Sequence, residues 1–251
     1  KGDRGEYMII AVNVGNTNTA VCFKDKVISF PTCKYSCADD FLSLVCGQIA
    51  YEKPNGGVFA SVVPEKNDAV ASALKANTGK APICVNSDLK LNADLSRYDT
   101  SLLGADRIAA VCGAAAKYSL PAVVFDFGTA TTANVLAAGG LFLGGAIAPG
   151  VSTMLKSLSQ NTAQLPYIMP QDDIRLIGAD TRECMLAGAY YATTGFAKAH
   201  LENVSSKLGE SFTGIVTGGN TEIMRGVLPE SYIFDKNLVF YGLMKIYDMN
   251  S

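Results

Sequence analysis

Two stretches of this 251-residue chain join an apolar run to an Asn or Asp, a glycine and a cluster of hydroxyl and amide side chains. The first is Asn13-Val14-Gly15-Asn16-Thr17-Asn18-Thr19-Ala20 and the second is Asp126-Phe127-Gly128-Thr129-Ala130-Thr131-Thr132-Ala133. Glycine allows backbone N–H groups to approach a ligand with no Cβ in the way, and short hydroxyls add donors, a combination that suits phosphate oxygens. An acid just before such a turn, Asp126 in the second copy, suits a metal or monovalent cation that accompanies phosphate. Taken singly, each segment also reads as an ordinary hairpin turn. Two copies aligned Gly15 over Gly128, Thr19 over Thr132 and Ala20 over Ala133 favour a nucleoside triphosphate held by both.

A third segment, Gly104-Ala105-Asp106-Arg107, sets an acid beside a fixed cation at a predicted helix start. Asp106 then serves as a general base and Arg107 as an anion clamp. The same residues also describe a helix N-cap with a solvated arginine, and spacing does not choose between the two. Nucleophilic and zinc chemistry find little support. The one histidine, His200, lies in a helical pattern over Tyr190–Leu208 and is expected on a helix surface, and Cys33 and Cys37 form only half of a zinc motif.

The elements that must carry these residues follow from hydrophobic period. Met8–Val14, Thr19–Phe23 and Lys26–Phe30 read as strands, 38–50 as a helix, Val58–Val63 as a strand, Asn67–Ala76 as a helix and Pro82–Val85 as a strand. After an irregular loop over Leu89–Thr100, Ala105–Tyr118 reads as a helix, Ala122–Phe127, Ala133–Ala137 and Leu141–Ala148 as strands. Strand–turn–strand thus occurs twice, an internal repeat that predicts an α/β fold of two similar lobes, 8–118 and 119–251, with the ligand cleft between them.

Composition agrees with a folded protein: 49% hydrophobic, 18% charged, 21 Lys+Arg against 23 Asp+Glu for a net charge of -2. With no basic block, nucleic acid is not an expected partner. No apolar stretch approaches the roughly 20 residues that span a bilayer, so no membrane is expected either. The first residues show no signal-peptide pattern. Met8 reads as the natural start, and seven cysteines without a framework read as reduced thiols in the cytoplasm.

From Met8 onward the chain resembles the type III pantothenate kinases of the acetate and sugar kinase and actin superfamily. The resemblance rests on Val14–Thr19, Gly104–Ala109, Asp126–Thr132, Gly144–Gly150, Ile177–Thr181 and Thr217–Gly219, with Leu238–Leu243 similar to the family's C-terminal apolar segment. It implies actin-like (ribonuclease H-like) lobes with mixed sheets flanked by helices, and transfer of the ATP γ-phosphate to the terminal hydroxyl of pantothenate. It further implies ATP contacts from Asn13 to Ala20 and Thr129, Asp106 as base, pantothenate contacts from Gly104 to Arg107 and Thr181, and Asp126 as ligand of a potassium or ammonium ion, with magnesium travelling on ATP. A cytoplasmic homodimer with the active site near the subunit interface is implied as well. Phosphoryl transfer depends on positioning and charge stabilisation, so the scarcity of histidine is no obstacle.

Two departures from the family pattern stand out. Asn13 replaces the family's Asp, keeping shape while losing the charge that a hard dication prefers. The segment Tyr98-Asp99-Thr100-Ser101-Leu102-Leu103 lacks the family's proline before Gly104, which predicts a differently shaped loop. These departures leave open a weakened, ligand-binding regulatory protein, or a kinase for another small hydroxylated metabolite.

Overall fold

The computed structural model describes residues 8–24, 26–49, 53–172 and 174–251. The segment preceding Met8 and the expected helix end at Ala50 lie outside the described residues. The chain forms two units, the described residues up to Tyr118 together with Leu238–Ser251, and Ser119–Asn237.

The first unit runs β1 (Ile9–Val14), β2 (Asn18–Phe23), β3 (Lys26–Pro31), α1 (Ala38–Ile49), β4 (Gly56–Ser61), α2 (Asn67–Thr78), β5 (Ile83–Cys84) and α3 (Ala105–Lys117). Its five-stranded sheet has the order β3-β2-β1-β4-β5, antiparallel from β3 to β1 and parallel from β1 to β5. Side chains alternate across such a sheet. Ile10, Val12, Val14, Val21, Phe23 and Phe59 therefore share one face, where Phe41 and Val45 of α1 and Val70, Ala73 and Leu74 of α2 bury them.

The second unit runs β6 (Ala122–Phe127), β7 (Ala130–Leu136), β8 (Phe142–Pro149), α4 (Val151–Asn161), α5 (Thr181–Leu208), β9 (Thr213–Thr217), α6 (Thr221–Arg225) and β10 (Ile233–Phe234). Its sheet, β10-β9-β6-β7-β8, repeats the first unit's pattern of directions. Val123, Phe125, Phe127, Ala133, Val135 and Val216 face Val151 and Leu155 of α4 and Met185, Leu186, Ala189 and Tyr190 of α5. Two units with one sheet topology embody the internal repeat.

Three expectations need correction. The second lobe does not run to residue 251: the last helix, α7 (Leu238–Asn250), packs on α3, β1 and β4 of the first unit. The crossing is close because Gly113 and Gly242 face the partner backbone, where a Cβ on Gly242 would overlap Ala109 O. The repeat also shifts by one residue. Val14 pairs with Thr19 across four turn residues, whereas Phe127 pairs with Thr131 across three, so Thr131 rather than Thr132 is the counterpart of Thr19. Both are buried, at 0% and 1% exposure. His200, thirdly, is half-buried and packs on Phe196 and Phe125 at ring separations of 5.6 and 6.4 Å, and this burial lowers its pKa.

Candidate active site

The first glycine turn closes by Gly15 N–H donating to Asn18 O at 3.0 Å. Asn16, Thr17 and Asn18 are exposed at its tip, Asn13, Gly15 and Ala20 are half-buried, and Val14 and Thr19 are buried beneath it. Asn13 pairs with Ala20 on β2 and Ala60 on β4, two small neighbours. Its Oδ1 is buried with no partner among the described residues. A buried oxygen left without a donor is costly, which marks this atom as one that a ligand, ion or water would satisfy. Thr19 is different: its hydroxyl lies 3.0 Å from Thr32 Oγ1 and 3.1 Å from Tyr35 Oη, so it supports the turn from below.

The second turn, Gly128–Ala130, closes by Gly128 N–H donating to Ala130 O at 3.0 Å, with Thr129 exposed. The Thr129 carbonyl accepts from Gly150 N–H at 3.0 Å and from Thr153 Oγ1 at 2.6 Å, which ties the turn to the start of α4. Asp126, half-buried at the end of β6, pairs with Thr132 on β7 and Thr217 on β9. Gly218 follows with φ +96°, a conformation that favours glycine, and its backbone crowds the Asp126 carboxylate: a Cβ at 218 would overlap Asp126 Oδ1. The Thr217-Gly218-Gly219 segment therefore shapes the surroundings of Asp126 through the absence of side-chain atoms.

In the first unit, Gly104 is the N-cap residue of α3 and Asp106 stands in the helix's first turn. Asp106 is accordingly not the cap, and Arg107 is not solvated, being 8% exposed. Asp106 Oδ1 accepts from Arg107 N–H at 2.7 Å. A side chain on Gly104 would put its Cβ 2.5 Å from that same oxygen, so glycine is what admits the carboxylate there. Burial pushes the Asp106 pKa up, and the Arg107 N–H and guanidinium pull against that rise without cancelling it. A carboxylate poised above its ordinary range is better matched to accept a proton near neutral pH. Arg107 is steadied by Tyr98: its Nη1 lies 3.4 Å from Tyr98 Oη and its guanidinium carbon 5.7 Å from the ring centre.

The loop before Gly104 is irregular yet well tied. Asn86, Asp94 and Asp99 each accept from the N–H two residues on, at 2.9 to 3.0 Å. Asn92 Nδ2 donates to Cys112 O on α3, and Asn250 of α7 exchanges two hydrogen bonds with the Lys90 backbone. Asp99 opens a short 3₁₀ turn over Thr100–Leu102.

Thr181 occupies the first position of α5, exposed, behind Asp180, whose side chain accepts from Glu183 N–H at 2.8 Å. It lines a cavity of about 560 Å³ between α4 and α5 together with Thr153, Met154, Leu158 and Met185. Thr153 thus both borders this cavity and holds the Thr129 carbonyl. Sequence reasoning missed Thr32, Tyr35, Tyr98 and Thr153. Only Tyr98 lay inside a segment already singled out, and the others are recruited by folding.

A family model described as type III pantothenate kinase matches residues 9–203. A type III pantothenate kinase from Caulobacter vibrioides is 30% identical over 256 residues, covering 97% of this chain and 98% of its own. One from Endomicrobium trichonymphae is 31% identical over 257 residues, covering 96% and 99%. Among solved structures, a glucokinase from an Antarctic psychrotroph superposes with a TM-score of 0.50 at 12% identity, covering 96% of this chain and 98% of that one. That likeness carries the fold: two mixed five-stranded sheets flanked by helices, in the actin-like manner.

Proposed function

The chain belongs to the type III pantothenate kinase family, and from that membership we propose that it transfers the γ-phosphoryl group of ATP to the terminal hydroxyl of pantothenate, giving 4'-phosphopantothenate and ADP, the first step toward coenzyme A. The observation that carries the site assignment is Asp106: a half-buried carboxylate at the start of α3, raised in pKa by desolvation, beside the buried cation Arg107. Asp106 takes the proton of the attacking hydroxyl as the new P–O bond forms and the bond to the ADP oxygen breaks. Gly104, Ala105 and Arg107 are the pantothenate contacts of the first unit in this reading, and Thr181 is that of the second. Asn13, Val14, Gly15, Asn16, Thr17, Asn18, Thr19 and Ala20 form the turn that receives the ATP phosphates, with Thr129 contributing from the second turn.

The kinase family implies ATP with a divalent metal. Among the described residues no group of three or more His, Cys, Asp or Glu is placed to hold a metal ion. In this reading magnesium travels on the phosphates of ATP. Hard cations take oxygen ligands, and Asn13 Oδ1, buried and unpartnered among the described residues, is one such oxygen. Asp126, on its small-residue border at Gly218, fits a monovalent ion, potassium or ammonium, through its anionic oxygens. A bound cation supplies neutralisation of phosphate charge.

A homodimer is part of this reading. The segment joining α4 and α5 leaves Tyr167, Leu176 and Ile177 exposed at 61%, 68% and 84%, apolar surface of the kind a second copy covers. No helix among the described residues is long and apolar enough to cross a membrane. The seven cysteines form no disulfide among the described residues, which fits a reducing cytoplasm. ADP release measured with ATP, magnesium and potassium tests the assignment: it should require pantothenate, and turnover with other hydroxylated metabolites but not pantothenate would refute it.

A further inference from the structure

One buried residue organises the first glycine turn from outside it. Thr32 begins a short 3₁₀ turn directly after β3 and is 3% exposed. Its Oγ1 donates to Gly15 O at 2.7 Å and its own N–H donates to Thr17 O at 2.9 Å. Two carbonyls of the turn are thereby drawn onto a single residue. In a planar trans peptide the C=O and the following N–H point in opposite directions. The Asn16 and Asn18 N–H groups must therefore be directed away from Thr32, on the exposed side of the turn.

The direction of the proton chain behind this is fixed by counting. A threonine hydroxyl has one proton, and Thr32 commits it to Gly15 O. At the 3.0 Å contact Thr19 must then donate to Thr32, and at the 3.1 Å contact Tyr35 must donate to Thr19. Tyr35 is 1% exposed and held edge-on by Phe30 and Phe41 at 6.0 and 5.2 Å, while its carbonyl accepts from Lys66 Nζ at 2.5 Å. The relay Tyr35–Thr19–Thr32–Gly15 is thus anchored at its far end. The second turn differs: Thr131 Oγ1, at the position equivalent to Thr19, is buried with no partner among the described residues.

Resting on the assignment of the first turn to the ATP phosphates, we infer that Thr32 is a positioning residue for ATP: by drawing the Gly15 and Thr17 carbonyls inward it aims the Asn16 and Asn18 N–H groups at phosphate oxygens. Thr32→Val removes the hydroxyl while keeping shape and backbone N–H, and Thr32→Ser keeps the hydroxyl. ADP binding by calorimetry and the KM for ATP should weaken about tenfold in Thr32→Val, as expected when one hydrogen bond is lost and its partner left unsatisfied, while Thr32→Ser stays within about threefold of wild type. The KM for pantothenate should not follow. Unchanged ADP affinity in a folded Thr32→Val protein overturns the inference, and so does Thr32→Ser failing equally, since packing rather than the hydroxyl would then be responsible. Should Thr32→Val not fold, Tyr35→Phe shortens the same relay from its other end, and a weakening of about threefold is expected, with none overturning the inference. A separate measurement isolates the underlying assignment: adding ADP to wild-type protein should shift the Asn16 and Asn18 amide resonances in ¹⁵N-resolved spectra. Absence of that shift removes the phosphate assignment itself, whereas a shift combined with unchanged affinity in Thr32→Val removes only the role of Thr32.

Discussion

Gly218 lies so near Asp126 that a Cβ on the glycine would overlap Asp126 Oδ1 and the Phe127 backbone. The turn after β9 and the end of β6 therefore form one surface, and its shape depends on a missing methyl group. Gly218→Ala must bear both the φ of +96° and this overlap. A loss of at least about 1–3 kcal/mol is expected from the backbone alone. Denaturant unfolding measures it, and dependence of turnover on potassium should weaken in the same variant. Wild-type stability together with wild-type potassium dependence would show that the close approach is not needed.

Asp106 gives a pH prediction of definite sign. Its folded pKa lies above the ordinary 3.8 because burial outweighs the Arg107 contributions. The acid limb of kcat/KM should accordingly fall above the ordinary aspartate range, since that limb reports the essential base in the free enzyme. For stability, a raised folded pKa means that the folded state holds the proton more tightly than the unfolded one. The contribution is full below 3.8 and is lost as pH rises through the folded pKa. Asp106→Asn should therefore be at least as stable as wild type at pH 7, with no such advantage at acid pH. Paired unfolding curves at the two pH values check this, and a destabilised variant at pH 7 would contradict the burial argument.

Asn13 carries a buried amide oxygen that has no partner among the described residues. Asn13→Asp should lower the KM for magnesium-ATP by about tenfold, the equivalent of ~1.4 kcal/mol, if an anionic oxygen there draws the cation. Without magnesium the same carboxylate is poorly solvated and should lower the melting temperature. Thermal unfolding with and without magnesium-ATP separates the two effects, and identical behaviour of the wild-type and Asn13→Asp proteins would show the charge to be dispensable.

Much of this site was readable from residue types, and the reasons for the remainder are physical. Both glycine turns and the Gly104–Arg107 helix start stand where apolar strands or an Ala-rich helix meet polar residues, which makes a strong local signal. Strand register was not readable: the second turn is one residue shorter, and a one-residue difference moves every later side chain to another partner. The start of α5 was missed although Asp180 and Glu183 carry the spacing of a capping box. α4 was missed as well, although Val151, Met154, Leu155 and Leu158 stand at the i, i+3, i+4, i+7 spacing of an amphipathic helix. α7 joins the first unit, and Thr32 meets Gly15, through contacts between residues far apart in sequence, which no local pattern records.

The most direct test of the mechanism is turnover of Asp106→Asn alongside its affinity for ATP and pantothenate. The substitution keeps size and removes the base, so kcat should fall about 10²- to 10⁴-fold while both ligands still bind. Turnover near the wild-type rate would contradict the assignment of Asp106 as the group that accepts the pantothenate proton.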